Sequence, residues 1–400
     1  MFKNTTWNQY TIKNGNKSIV LETILKESTI SRAEIANKTG LNKGTVSSQV
    51  SELLNEELIY EKGPGASSGG RRPVMLLFNQ RAGYSIGIDI GVNYILGILT
   101  DLEGNICNEK SINFHNLSFE NLTHKLMNVI DDLTSTAPAS KYNIVGIGIG
   151  VPGSVNKLGE VLLAPNLGWQ NVKLKETMEN VYKCPVIIEN EANAGAYGEK
   201  KFGRGKRETD IVYVSVGVGI GVGLVLNGEL YRGMNGFSGE MGHMTIEVNG
   251  MRCRCGNKGC WELYASEQAL IQQADDFGIT EDEDTLDKMI ELAEKGDKHA
   301  IESFQTIGNY LGAGITNIIN SLNPKQVIIG NRLVGAKDWI EQPLLERTKA
   351  NALWFQQHEL QIIFSELNTH SSALGVAAFT FENFLKDKMH QETSHMLVNK

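Results

Sequence analysis

His243, Cys253, Cys255 and Cys260 are the residues whose types and spacing most restrict the chemistry of this 400-residue chain. One imidazole and three thiolates complete a tetrahedral shell of the kind that closes a structural zinc site and leaves no position open for water. Gly256 and Gly259 permit the tight knuckle that this spacing requires. The expectation is one structural Zn2+ and no catalytic metal. Three cysteines so close together point to a metal site in a reducing compartment rather than to a disulfide framework, and Cys107 and Cys184 read as packed thiols.

The elements that position such a site fall into segments. Residues 17 to 27 put Ile19, Val20, Ile24 and Leu25 at helical spacing. Ser31 to Glu34 has the form of a capping box opening a second helix that stops at Thr39-Gly40-Leu41. A third helix starts near Asn42, buries Val46, Val50, Leu53 and Leu54, and shows Lys43, Thr45, Ser48 and Gln49 on its other face, with Ser47 turned partly inward. A glycine-rich loop then ends in Arg71 and Arg72 between two short strands. Three helices and a hairpin make a winged helix-turn-helix over residues 1–82. Lys43, Thr45, Ser47, Ser48 and Gln49 would meet base edges of double-stranded DNA in the major groove, and Arg71 and Arg72 would reach a minor groove or phosphates. Charge agrees: residues 1 to 80 carry ten Lys/Arg against seven Asp/Glu, so the net charge of -8 conceals a basic start.

From Tyr84 the pattern becomes α/β. Short strands YSIGIDIG, YILGILTD and ICNEKSINF precede a helix at 119 to 133, and the strand IVGIGIGVPG follows. IVYVSVGVGIGVGLVLNGELYRG reads as a second, glycine-rich opening, a hairpin centred on Asn227-Gly228, so the two halves look like a degenerate duplication. Lobes at 83–205 and 206–400, with a cleft between them, are expected. The start lacks a signal-peptide core and no run of about 18 apolar residues occurs, so a cytoplasmic protein with no membrane partner is expected.

The motifs PNLGW, ENEAN, EMGHM and CRCGNKGCWE resemble the ROK family of repressors, open reading frames and sugar kinases, and the leading helices and GGRRP resemble its repressor branch, most of all its xylose repressors. The resemblance implies an actin-like, ribonuclease H-like body of the sugar-kinase type and a homodimer on operator DNA. It also implies a sugar effector, D-xylose, contacted by Asn166, Asn190, Glu191, Glu240, His243 and Glu262, with Gly153 allowing close backbone approach. His243 would then serve zinc with one ring nitrogen and sugar with the other. Three departures bear on catalysis. Where the family's kinases place a general-base aspartate stands Glu191, one methylene longer; the first phosphate loop ends in Asn93, and the second carries Val218. No catalytic residue, no nucleotide and no enzymatic activity are expected. The extra methylene of Glu191 would also fill the space a hexose needs for its CH2OH, favouring a pentose. Rival readings are a repressor answering to glucose or an N-acetylated amino sugar, and an active sugar kinase.

Overall fold

The computed structural model describes residues 9–64, 73–273, 278–279 and 285–390. Helices Gln9–Lys26, Arg32–Thr39 and Lys43–Asn55 open the chain. Ser31 and Glu34 form the expected capping box, Gly40 closes the second helix at φ 72°, and the Asn42 side chain accepts from the Thr45 amide. These caps satisfy amides that would otherwise lose water without a partner. Strands Ile30–Ser31, Val74–Phe78 and Ile59–Pro64 lie side by side in that order as the wing sheet. The first helix turns Val20, Leu21 and Ile24 inward, while Ile19 and Leu25, expected on that face, are exposed. Leu21 takes their place in the cluster that the first helix forms with the other two helices, the wing and the last helix.

Two five-stranded sheets build the body. In the first, Tyr84–Ile90, Tyr94–Asp101 and Ile106–Asn113 form an antiparallel meander, and Ile144–Val151 and Val186–Asn190 extend it in parallel. The second repeats this order with Ile211–Val216, Ile220–Leu226 and Glu229–Leu230, then Gln326–Gly330 and Gln361–Phe364. Identical topology bears out the reading of an internal duplication. The hairpin centre needs correction. The long strands reverse at Gly217–Gly219, and Asn227-Gly228, at φ 54° and 81°, turns only into the two-residue strand Glu229–Leu230. A two-residue turn with both φ positive is what Asn-Gly favours, so the local reading of that turn holds.

Two helices lie between the sheets and exchange sides. Helix Glu191–Lys201 packs on the second sheet, where Gly221 and Gly223 leave room for Ala192 and Gly195 sits against Tyr213. Helix His370–His390 returns to the first sheet, with Gly87 and Gly148 under Ala373 and Val376. The helices cross with Gly198 and Gly375 in backbone contact. Beside the crossing, Tyr197 stacks on Phe379 at 4.1 Å, and fully buried Glu199 accepts from the hydroxyls of Ser365 and Ser371. The chain therefore crosses from the first sheet to the second near residue 190 and returns to the first before residue 370. The last helix then reaches the winged helix: Leu385, with Phe381, Phe384 and Met389 against it, joins the cluster of Val20, Leu21, Ile24, Val50 and Leu53. Lys17 donates to the Lys388 carbonyl at 3.4 Å and Tyr142 to the Glu56 carbonyl at 2.9 Å. No helix among the described residues is long and apolar enough to cross a membrane.

Candidate functional site

The cleft between the sheets is a cavity of about 820 Å³, and all seven residues expected at a sugar line it: Gly153, Asn166, Asn190, Glu191, Glu240, His243 and Glu262. They arrive from several elements of both halves of the body. Asn166 sits in the single turn Pro165–Leu167, and Asn190 ends strand Val186–Asn190. Its side chain is fixed twice, donating to the Gly153 carbonyl at 2.9 Å and accepting from the Asn193 amide at 3.0 Å. One amide hydrogen and one lone pair remain for a ligand. Gly153 has no room for a side chain because the backbone of Leu163 and Ala164 crosses directly over it.

Glu240 and His243 bracket the short turn Glu240–His243, which Gly242 lets lie against the Ile220 carbonyl. Ser154 donates to Glu240 at 3.3 Å. The cysteine knuckle follows, anchored by Trp261, which is fully buried and donates to the Tyr310 carbonyl at 2.8 Å. His243, Cys253, Cys255 and Cys260 place one ligand atom each within 4.8 Å of the others. The separations Cys255 to Cys260, 3.6 Å, and Cys253 to His243 Nδ1, 3.8 Å, match the roughly 3.8 Å edge of a tetrahedron with 2.3 Å metal–sulfur bonds. With Nδ1 on the sulfur side, Nε2 is the imidazole nitrogen left for the cleft. Glu262 Oε1 lies 3.3 Å from His243 Nδ1 and accepts from Cys253 at 3.2 Å, so the knuckle and the cleft wall are one unit.

Sequence reasoning missed several polar cleft residues. Arg254 donates to Asn166 at 3.4 Å and joins the knuckle to the opposite wall; its place between two metal-type cysteines was the available signal. Ser154 supports Glu240, as above. Ser215 and Asn331 both donate to Glu191 Oε1, at 2.6 and 2.7 Å. The strand endings VIIEN and VIIGN, at 186–190 and 327–331, each deliver an asparagine into the cleft, and that likeness is the trace of Asn331 in the sequence. Deeper in, Asp89 is 1% exposed and accepts from the Tyr94 hydroxyl at 2.7 Å. Burial pushes the carboxyls of both Asp89 and Glu191 above the usual carboxylate range, and the proximity of Asp89 raises Glu191 further.

The DNA-facing candidates stand apart from the cleft, on the winged helix. Lys43, Ser47 and Ser48 are exposed and Thr45 is half-buried. Ser47 therefore faces outward rather than partly inward. Gln49 is corrected too: it is 3% exposed, on the same stripe as Val46, Val50 and Leu53. Arg71 and Arg72 lie outside the described residues. A second cavity of about 580 Å³, lined by Lys157, Lys175 and Arg232 among others, contains none of the expected residues, and Arg232 is already paired with Glu189 at 2.7 Å.

Comparison with known proteins fits this geometry. The ROK family profile matches residues 85–382. The chain belongs to the ROK family. A winged helix-turn-helix DNA-binding profile matches residues 15–60. Among relatives, the xylose repressor of Bacillus subtilis is 44% identical over 374 residues, covering 94% of this chain and 97% of that protein. A ROK family transcriptional regulator, a homolog of the E. coli MLC protein, superposes with a TM-score of 0.78 at 27% identity, over 95% of this chain and 98% of its own. A ROK family glucokinase from Streptomyces griseus, solved with glucose and AMPPNP, gives 0.67 at 27% identity and covers 74% of this chain and 99% of its own. The kinase matches the body alone, whereas the regulator matches nearly the whole chain. This ROK protein thus has the regulator's architecture, a DNA-binding domain fused to a kinase-type fold.

Proposed function

We propose that this chain is a xylose-responsive transcriptional repressor of the cytoplasm, a homodimer on operator DNA that carries a structural zinc ion and performs no phosphoryl transfer. The observation that carries the reading is a donor- and acceptor-lined cleft in a body whose last helix is built into the core of a winged helix. The 44% identity to a xylose repressor supports the choice of sugar. Asn190, Glu240, His243 and Glu262 supply acceptors and donors for a ring of hydroxyls, while Asn93 and Val218 add an amide and an apolar branch to the same cleft. Zinc, held by His243, Cys253, Cys255 and Cys260, would lock the knuckle and so fix His243 and Glu262 against the sugar.

Sugar acts by binding one arrangement of the lobes better than the other, so its effect on DNA is limited to that difference, typically about 1 to 3 kcal/mol. Fluorescence anisotropy of labelled operator DNA should show xylose lowering affinity by about 5- to 150-fold. A response to glucose or N-acetylglucosamine in its place would transfer the assignment to another sugar, and ATP-dependent turnover of any of them would make the protein a kinase. Metal analysis should find about one zinc per chain, lost in Cys255→Ser together with sugar affinity.

A further inference from the structure

The inner half of the cleft is lined by Ser215, Asn331 and Arg332, a hydroxyl, an amide and a guanidinium, all of them donors. Donors converging on one volume are the composition of an anion site. Here each donor is already engaged by a carboxyl of the chain itself. Ser215 and Asn331 both donate to Glu191 Oε1, and Asn331 also donates to the Ser215 oxygen at 3.0 Å. Arg332 lies 3.2 Å from Glu267, which is 5% exposed. We propose that the Glu191 carboxyl is a built-in occupant of this anion site, and that its hold on Ser215 and Asn331 keeps phosphate-bearing ligands out while the sugar half stays open.

The geometry of Asn331 supports a site held ready for a fixed partner. Its backbone sits at φ 73°, ψ -164°, a region that residues with a Cβ rarely enter and that costs on the order of 1–3 kcal/mol. The conformation aims its Nδ2 at Glu191 while Oδ1 accepts from the Arg332 amide at 2.7 Å. Glu191 opens helix Glu191–Lys201 directly after Asn190, so its reach is set by side-chain length. An aspartate at the same backbone position would fall about one carbon–carbon bond short, roughly 1.5 Å. Glu191 in this role is a positioning residue that meets the protein, whereas Asn190 beside it keeps hydrogen-bonding capacity for the ligand.

The inference rests on the sugar-cleft reading, and the two fail separately. Isothermal titration of the full-length protein uses xylose for the reading, and inorganic phosphate and ADP as probes of the inner half. The unmodified chain and Glu191→Gln should take up neither probe, because a carboxamide oxygen still accepts from Ser215 and Asn331. Glu191→Ala and Glu191→Asp should bind ADP at least tenfold more tightly than the unmodified chain. Ser215→Ala, which leaves Asn331 in place, serves as a second route if a Glu191 variant does not fold, and it should loosen the exclusion too. Equal ADP binding by unmodified and variant chains overturns the inference, and so does a Glu191→Gln that admits ADP as readily as Glu191→Ala, since charge rather than occupancy would then be responsible. Folded variants that all refuse ADP overturn it as well. Absence of xylose binding by the unmodified chain would instead sink the sugar reading alone.

Discussion

Gln49 lies three residues after Val46 and four before Leu53 on helix Lys43–Asn55, and its Oε1 is buried without a hydrogen-bond partner. A polar type at an apolar position of the helical period looked like a surface residue, although the spacing itself put it inside. Gln49→Leu, close in volume, removes the unpaired oxygen and should raise stability by on the order of 1 kcal/mol in urea unfolding, leaving base preference unchanged. Glu267 makes a prediction about pH. Burial lifts its carboxyl to about 7, helped by Asp287 and opposed by Arg332. The folded state then holds a proton that the unfolded chain has released above about 4.5, so stability is fully present below that pH and falls as pH rises toward 7, by about 3 kcal/mol in all. Glu267→Gln should flatten that slope in melts taken between pH 4.5 and 7. The clustering of His243, Cys253, Cys255 and Cys260 was legible residue by residue because cysteines so close together in sequence have few other uses. Asn331 was not, since a lone asparagine after a strand advertises a turn as readily as a site.

Helices and strands were largely readable from caps and periods, and Ser31, Gly40 and Asn42 mark their ends where the structure has them. What periodicity could not show was which sheet each of the two crossing helices covers. Both Glu191–Lys201 and His370–His390 are rich in small residues, and small residues on a helix say only that something approaches closely. Gly375 is the test of that contact. A methyl group there gains about 1 kcal/mol of helix propensity but meets the Ala194 carbonyl and the Gly198 amide, backbone atoms that cannot swing aside. Overpacking against fixed atoms outweighs propensity, so Gly375→Ala should lose about 2 kcal/mol net by urea unfolding. An alanine at Gly278, where nothing among the described residues lies within 4 Å but φ is +67°, should cost only the strain of a left-handed residue, on the order of 1 kcal/mol.

At the scale of the whole molecule, one shared cluster couples the winged helix to the first lobe, because the last helix belongs at once to the first sheet and to the winged helix. Heating should therefore melt the DNA-binding domain and the first lobe together, seen as coincident far- and near-UV circular dichroism transitions. A separate early transition for the winged helix would show that cluster to be energetically idle. Sugar bound at a hundredfold excess over its dissociation constant should move the joint transition by about 2.7 kcal/mol of added stability. The arrangement also has a temporal side. The winged helix leaves the ribosome first, yet Phe381, Leu385 and Met389, which close its core, are about three hundred residues behind. At about 5–20 residues per second, roughly 15 to 60 s pass before they emerge. Throughout that interval the nascent N-terminal domain presents a bare apolar face to the cell, so it is the part of this protein most dependent on chaperones during synthesis, and operator binding can begin only when translation has nearly finished.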